Sequence, residues 1–296
     1  MESRRIKVGP SSDWPARIKL VELGAFQIIG KLAEGRGTLL FKAQHERSGY
    51  EVIAKIVKAS HAKNRATLAE MSNEARVLRA LQHPYIIKMV KYERRTRFPF
   101  LLLEFVNGSN LKQWIVRRER SDVREPIQVL ARLAEGLGAT HRGGYIHRDI
   151  KSENMLVTGN GDVRLIDFAL AEKLSWRWAR ALLPRHRVQG TRSYMSPEQI
   201  LGRSLDHRSD IYSFGVVIYE AVTGRPPFYG LDEQSLLQDH LHTEPKRLAS
   251  SVSNVNADLD NLVSRMLAKH PVDRPPSMEF VVEALRSIDS ITAKTP

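Results

Sequence analysis

The apolar and polar positions in the first third of the chain follow the patterns of short strands. Three runs, Phe26–Ile29, Leu39–Ala43 and Glu51–Val57, are apolar or alternate between apolar and polar residues. Glycine-containing turns separate them, so the pattern predicts strands of an antiparallel meander. Leu101–Val106 is a further candidate strand, followed by an Asn-Gly pair.

One main helix is predicted within this sheet-rich region. Its apolar residues recur every three or four positions and stop near His83-Pro84. They are Leu68, Met71, Ala75, Leu78 and Leu81. The residues before Gly24 are basic and irregular and include two prolines, so we predict a basic arm over residues 1–25.

Helical patterns dominate the rest of the chain. Pro126 begins one helix, which ends at a Gly-Gly pair. Ile211–Val222 is almost wholly apolar and precedes Gly224, which predicts a buried central helix. Two more helices are predicted over Leu259–Leu267 and Met278–Ile288. We therefore expect an α+β fold, with a small antiparallel-sheet lobe carrying one main helix and a larger, mostly helical lobe.

Composition narrows the class of protein. The 296 residues are 42% hydrophobic and contain no cysteine, which excludes disulfides and thiolate chemistry. No run of about 18 apolar residues or signal-peptide core occurs, so we predict a cytoplasmic protein without a transmembrane segment. The net charge of +13 raises the hypothesis of nucleic-acid binding, but zinc-finger spacing and aromatic RNA-binding motifs are absent. We expect the charge to tune the choice of protein partner instead.

The sequence Tyr145–Asn154 combines a carboxylate, an amine and an amide at fixed spacing. A carboxylate can accept the proton of an attacking hydroxyl, an ammonium can neutralise a phosphoryl group, and an amide oxygen can hold a metal ion. The spacing H-R-D-x-K-x-x-N resembles the catalytic loop of eukaryotic-type protein kinases. Lys151 in this loop resembles the serine/threonine kinases, and the sequences Ser196–Gln199 and Thr223–Phe228 resemble the bacterial members most closely. The resemblance implies a kinase domain over residues 26–290, with an N-lobe at 26–105, a C-lobe at 106–290 and a tail at 291–296.

The resemblance assigns a nucleotide site to the first lobe. The segment Leu32–Leu40 aligns with the glycine-rich loop, although only Gly35 stands at a family glycine position. The implied loop residues are Leu32, Ala33, Glu34, Gly35, Arg36, Gly37, Thr38 and Leu40. Lys55 is expected to bind the α- and β-phosphates while paired with Glu74. Glu104 and Val106 are expected beside the nucleotide, which would lie between the lobes above Leu156.

The same resemblance implies the chemistry of the second lobe. Asp149 is the expected catalytic base, Lys151 the phosphate-neutralising group and Asn154 a metal ligand. Asp167, in Asp-Phe-Ala, is expected to bind Mg²⁺ as the second ligand, with Mn²⁺ as the alternative ion. ATP is the implied phosphoryl donor, and the acceptor is a serine or threonine of a protein substrate.

The segment Gly190–Glu198 resembles the end of a kinase activation segment. Thr191 is then expected to contact Asp149 and Lys151, and Glu198 to pair with Arg274. By the same resemblance, Asp210 anchors the backbone of the catalytic loop from the buried helix.

The preceding segment lacks a residue that could be phosphorylated. No Ser, Thr or Tyr occurs between Trp176 and Gly190, whereas Arg177, Arg180, Arg185 and Arg187 do. A phosphate that would pair with Arg148 therefore has no attachment site nearer than Ser175. Constitutive activity, an acidic partner or substrate bound to these arginines, regulation from outside this chain, and a merely solvated basic loop remain alternatives.

Two other functions compete with protein phosphorylation. Ala33, Thr38, Ile53 and Ala169 depart from the kinase pattern, which would suit a pseudokinase or slow kinase acting as an ATP-binding scaffold. Lys55, Asp149 and Asp167 are nevertheless all retained. A small-molecule phosphotransferase is disfavoured because the segment Thr191–Glu198 and Arg274 resemble a platform for protein substrates.

Overall fold

The computed structural model describes residues 23–117, 124–174, 191–230, 232–253 and 255–292. The chain divides into two compact units. The first comprises residues up to Gln82 together with Ile87–Val106, and the second comprises His83–Ile86 and the residues from Asn107 onward. The predicted α+β fold, a small antiparallel-sheet region and a mostly helical remainder, is confirmed.

The first unit is a five-stranded antiparallel sheet. Its strands are β1 (Phe26–Glu34), β2 (Thr38–His45), β3 (Glu51–Val57), β4 (Met89–Glu93) and β5 (Phe100–Glu104). The sheet order is β1-β2-β3-β5-β4, and the antiparallel meander predicted for the first three strands is present. Strand β4 was not predicted: it is a short edge strand that mixes apolar and polar residues, all of which stay at least partly exposed. Strand β5 ends at Glu104, two residues before the predicted end at Val106.

One helix, α1 (Arg65–Ala80), accompanies this sheet. Asn64 caps it by accepting a hydrogen bond from the backbone N–H of Thr67. Met71, Ala75 and Leu78 are buried at helical spacing, as predicted. Glu74 is buried on the same side of the helix, where a carboxylate needs a partner.

The second unit contains seven α-helices within its described residues. They are α2 (Leu111–Arg117), α3 (Arg124–Arg142), α4 (Pro197–Ile200), α5 (His207–Thr223), α6 (Glu233–His242), α7 (Ala257–Met266) and α8 (Met278–Thr292). Helix α5 is the predicted central helix, buried from Ser209 to Ala221. It ends at Gly224, whose φ of 80° is the left-handed conformation that glycine adopts at helix ends.

Two small sheets complete the second unit. Strands β6 (Gly108–Asn110), β8 (Met155–Thr158) and β9 (Val163–Leu165) form one, and β7 (Tyr145–Ile146) pairs with β10 (Glu172–Lys173) in the other. Both sheets flank the segment His147–Asn154, which we call the HRD loop. In the described ranges, none of the helices combines the length and apolar character needed to cross a membrane.

Candidate active site

Lys55 and Glu74 form an ion pair inside the first unit. Lys55 lies on β3, and its Nζ is 2.7 Å from Oε2 of Glu74 on α1. The carboxylate side chain is 1% exposed and the lysine side chain 15% exposed. Because an unpaired buried carboxylate is costly, this contact fixes the position of the ammonium group on the sheet. The pairing expected from the sequence is present.

The segment Leu32–Leu40 forms the hairpin between β1 and β2. The backbone N–H of Gly35 donates to the carbonyl of Thr38 at 2.9 Å, and Leu32–Arg36 are exposed. Glu34 accepts hydrogen bonds from Lys31 and Lys58, both at 2.6 Å, and no sequence motif predicted these contacts. The hydrogen bond from Lys31 is the largest cause and that from Lys58 the second, and together they lower the pKa of the Glu34 carboxyl to about 2.

Glu104 and Val106 lie at the end of β5. The backbone N–H of Glu104 donates to the carbonyl of Lys88 at 2.9 Å, and its Oε1 accepts the N–H of Lys88 at 3.0 Å. The carboxylate thus ties the end of β5 to the start of β4. Val106 follows the strand and is half-buried.

The HRD loop brings Asp149 and Lys151 together with Thr191. Nζ of Lys151 lies 2.7 Å from Oδ2 of Asp149 and 2.8 Å from Oγ1 of Thr191. The backbone N–H of Thr191 donates to Oδ1 of Asp149 at 3.2 Å. All three expected residues are therefore in contact, around a carboxylate that is 9% exposed.

Asn154 joins the same cluster and faces the β8–β9 hairpin. Its Nδ2 donates to the backbone carbonyl of Asp149 at 2.9 Å and to the carboxylate Oδ2 at 3.0 Å. The carbonyl of Asn154 accepts the N–H of Ile166 at 3.0 Å, immediately before Asp167. The hairpin therefore brings the backbones of the two predicted metal ligands together.

Leu156, on β8, is half-buried and pairs with Arg164 on β9 and Asn110 on β6.

Asp210 holds the start of the HRD loop from inside α5. Its Oδ2 accepts the N–H of His147 at 2.7 Å, and its Oδ1 accepts the N–H of Arg148 at 2.9 Å. Burial acts to raise the pKa of Asp210, but contacts with His141 and His147 outweigh it and hold the pKa below its ordinary value. A carboxylate that stays ionised is suited to anchoring two backbone amides.

Glu198 and Arg274 form a buried bidentate ion pair. The two guanidinium nitrogens lie 2.7 and 2.9 Å from the two carboxylate oxygens, and the Arg274 side chain is fully buried. Although burial opposes ionisation, Arg274 and Ser209 lower the pKa of Glu198. The pair expected from the sequence thus fixes α4, which follows Thr191, to the α7–α8 region.

Three contacts in this region had no sequence signal. Nε2 of His141 lies 2.9 Å from Asp210, Gln199 donates to the carbonyl of Arg148 at 3.0 Å, and Arg148 contacts Glu172. Lone histidine, glutamine and glutamate residues occur at many surfaces, so only the tertiary structure identifies these three. The predicted arginine segment Arg177–Arg187 lies outside the described residues.

Comparison with known proteins agrees with this geometry. The sequence model of the protein kinase domain matches residues 26–285, so the chain belongs to the protein kinase family. Relatives include serine/threonine-protein kinase PknL of Mycobacterium bovis, 31% identical over 249 residues, and serine/threonine-protein kinase PknB of Mycobacterium tuberculosis, 31% identical over 257 residues. These alignments cover 84% and 86% of this chain, which spans 62% of the length of PknL and 40% of that of PknB.

Proposed function

We propose that this chain is a serine/threonine protein kinase that transfers the γ-phosphoryl group of ATP to hydroxyl groups of protein substrates. The cluster of Asp149, Lys151 and Thr191 is the observation that carries the proposal. It combines a proton acceptor, a cation and a hydroxyl within hydrogen-bonding distance of one another. The names of the relatives PknL and PknB support the choice of serine and threonine as acceptors.

Asp149 orients the substrate hydroxyl and accepts its proton. Its carboxylate is held from two sides, by Lys151 and Asn154 on Oδ2 and by Thr191 on Oδ1, so its direction is set before the substrate binds. Lys151 then stabilises negative charge that grows on the transferring phosphoryl group. The in-line approach of hydroxyl and phosphoryl group depends on this prior positioning.

Asn154 and Asp167 are the ligands we propose for a divalent cation, Mg²⁺ in preference to Mn²⁺. The amide nitrogen of Asn154 is engaged by Asp149, which leaves the amide oxygen as the group available to a metal. An amide oxygen and a carboxylate are hard ligands that suit Mg²⁺. Within the described residues no cluster of three or more His, Cys, Asp or Glu side chains forms a protein cage. That suits Mg²⁺, which keeps water and phosphate ligands. When bound, the cation would supply positive charge that neutralises the phosphates.

The first unit supplies the proposed nucleotide contacts. Lys55, fixed by Glu74, binds the α- and β-phosphates, and the backbone of the Gly35 hairpin covers them. Backbone groups near Glu104 and Val106 bind the adenine. The Glu104 carboxylate accepts the N–H of Lys88, so we assign this role to the main chain.

We also propose that the segment Arg177–Arg187 binds an acidic region of the protein substrate. The support is compositional: four arginines occur within eleven residues that contain no acidic residue. Such a segment attracts acidic partners and is screened by salt.

The test is transfer of γ-phosphate from Mg-ATP to the chain itself and to a generic basic protein. We expect Asp149→Asn to lose about 10²–10⁴-fold in kcat, the contribution of a positioned general base. The thermal shift caused by Mg-ATP should persist, since nucleotide binding does not need this carboxylate. Asp258→Asn, at an exposed aspartate of α7, is the matched control and should keep full activity. An unmutated protein that binds Mg-ATP but transfers no phosphate would instead support the scaffold function.

A further inference from the structure

Arg148 occupies a constrained position in the HRD loop. Its φ is 69°, a left-handed conformation that is uncommon for a residue with a side chain. Two hydrogen bonds hold this backbone, one from its N–H to Asp210 and one from Gln199 to its carbonyl. The guanidinium side chain is only 13% exposed. A cation this far removed from water, one residue before Asp149, requires a counter-charge.

Glu172 provides that counter-charge. Nη1 of Arg148 lies 3.0 Å from Oε2 of Glu172, whose side chain is 21% exposed. Glu172 begins β10, which pairs with β7, and Glu172 lies directly opposite Ile146. Since Ile146 is two residues before Arg148, backbone pairing between the two strands delivers the carboxylate to the arginine.

The neighbouring sequence explains why a resident carboxylate matters. Phosphorylation commonly orders the activation segment of a kinase through new pairs between arginine and phosphate. Residues 177–189 contain no Ser, Thr or Tyr, so no phosphate can be added there. A phosphate brought to Arg148 from elsewhere would also meet the like charge of Glu172.

We propose that Glu172 is a positioning residue that neutralises Arg148 permanently, so that Asp149 is held for catalysis without phosphorylation of this chain. The inference rests on the proposed kinase function and assigns its regulation. Glu172 keeps the Arg148 guanidinium turned towards β10. Without the Glu172 carboxylate, Arg148 becomes an uncompensated cation that competes with Lys151 and Asn154 for the Asp149 carboxylate.

The first test removes the charge of Glu172. Kinetics of Mg-ATP-dependent phosphorylation of a generic basic protein are measured for the unmutated chain, Glu172→Gln and Glu172→Asp. For Glu172→Gln we expect kcat to fall about tenfold or more while KM for ATP changes less than about twofold, the signature of an effect on the chemical step. Glu172→Asp should recover most of the loss, because it keeps the charge.

The second test removes phosphate from the protein. The unmutated chain is treated with a phosphatase, its phosphate-free state is checked by intact mass, and its initial rate is measured before self-phosphorylation resumes. We expect the rate to stay within about twofold of that of the untreated protein. The matched control for Glu172→Gln is Glu279→Gln, which breaks an exposed ion pair with Arg142 and should leave kcat unchanged.

Each result bears on the proposal. Full activity of Glu172→Gln, or loss of activity after phosphatase treatment, overturns the role of Glu172 while leaving the kinase function standing. An inactive unmutated chain overturns the kinase function and this inference together. A folding defect is excluded if Glu172→Gln keeps the Mg-ATP thermal shift of the unmutated protein.

Discussion

At the scale of single residues, backbone strain marks the candidate site. Arg148 and Asp167 are the two residues other than glycine with positive φ in the described part of the chain, at 69° and 63°. Each such conformation costs on the order of 1–3 kcal/mol and persists only where surrounding contacts impose it. Asp210 and Gln199 supply those contacts for Arg148. The strain therefore coincides with the residues that the proposed mechanism needs in fixed directions.

His240 gives a pH-dependent prediction at this scale. His240 is fully buried on α6. Burial is the main cause, and the charge of the nearby Lys269 ammonium the second cause, of a pKa that is lowered from 6.5 to about 4. Between pH 4 and pH 6.5, His240 is therefore protonated in the unfolded chain and neutral in the folded chain. The free energy of unfolding should then fall as pH decreases from 6.5 to 4, by roughly 1.4 kcal/mol per pH unit.

The measurement compares urea unfolding at pH 7 and pH 5 for the unmutated chain and His240→Gln. Glutamine stays neutral throughout and can still form a hydrogen bond with Tyr212, whose hydroxyl lies 3.0 Å from Nδ1 of His240. We expect a smaller loss of stability between the two pH values in the variant. Equal losses in both proteins would show that His240 does not titrate in this way.

Single residues also show what the sequence could and could not predict. The contacts of Lys55 with Glu74, of Thr191 with Asp149 and Lys151, and of Glu198 with Arg274 were expected because fixed spacings tie them to recognisable motifs. Glu172 has no such motif. Its contact with Arg148 depends on the pairing of β10 with β7, two-residue strands too short to leave a periodic pattern.

At the scale of elements, close helix packing restricts the central helix. Gly215 lies in the middle of α5, where a Cβ would come within 2.9 Å of the Cβ of Met266 on α7. Alanine normally favours a helix over glycine by about 1 kcal/mol. Here the two backbones would have to separate, and overpacking typically costs about 1–3 kcal/mol. We therefore expect Gly215→Ala to lower the melting temperature.

Gly138 on α3 offers a matched control for this substitution. The atoms nearest to a Cβ there would be the ends of the Arg142 and Glu279 side chains, at 3.2 and 3.3 Å, which can move aside, and the Cβ of Met278 at 3.8 Å would be in ordinary van der Waals contact. Gly138→Ala should therefore be neutral or stabilising in the same thermal-unfolding experiment. If both variants shifted the melting temperature equally, the close approach of α5 and α7 would not explain the effect.

Element prediction succeeded where periodicity was long and failed where elements were short or polar. The apolar run from Ile211 to Val222 predicted α5 because a buried helix has few polar interruptions. Helix α6 was missed because Glu233–His242 carries few apolar residues, and its capping box pairs Asp232 with Ser235 in place of the usual Ser/Thr with Glu/Gln. Strand β4 was missed because it lies at the sheet edge and is only partly buried.

At the scale of the whole molecule, the net charge of +13 is expected to act through substrate binding. An acidic protein substrate should be attracted by the field of the chain, and Arg177–Arg187 should supply the local contact. Changing the four arginines of that segment to serine should raise KM for an acidic protein substrate by about three- to tenfold, with kcat unchanged. The increase should shrink as salt concentration rises, because salt screens the same interaction.

A second variant separates the local contact from total charge. It removes four exposed arginines elsewhere on the surface, none of which forms an ion pair within the described residues. They are Arg47, Arg79, Arg95 and Arg225. Each variant loses four positive charges, so an effect of the total charge alone would raise KM for the acidic substrate equally in both. We expect the larger increase when the segment Arg177–Arg187 is changed, and unchanged kinetics in that variant would refute docking there. KM for a generic basic substrate should not rise in either variant, because such a substrate is not attracted by the arginines.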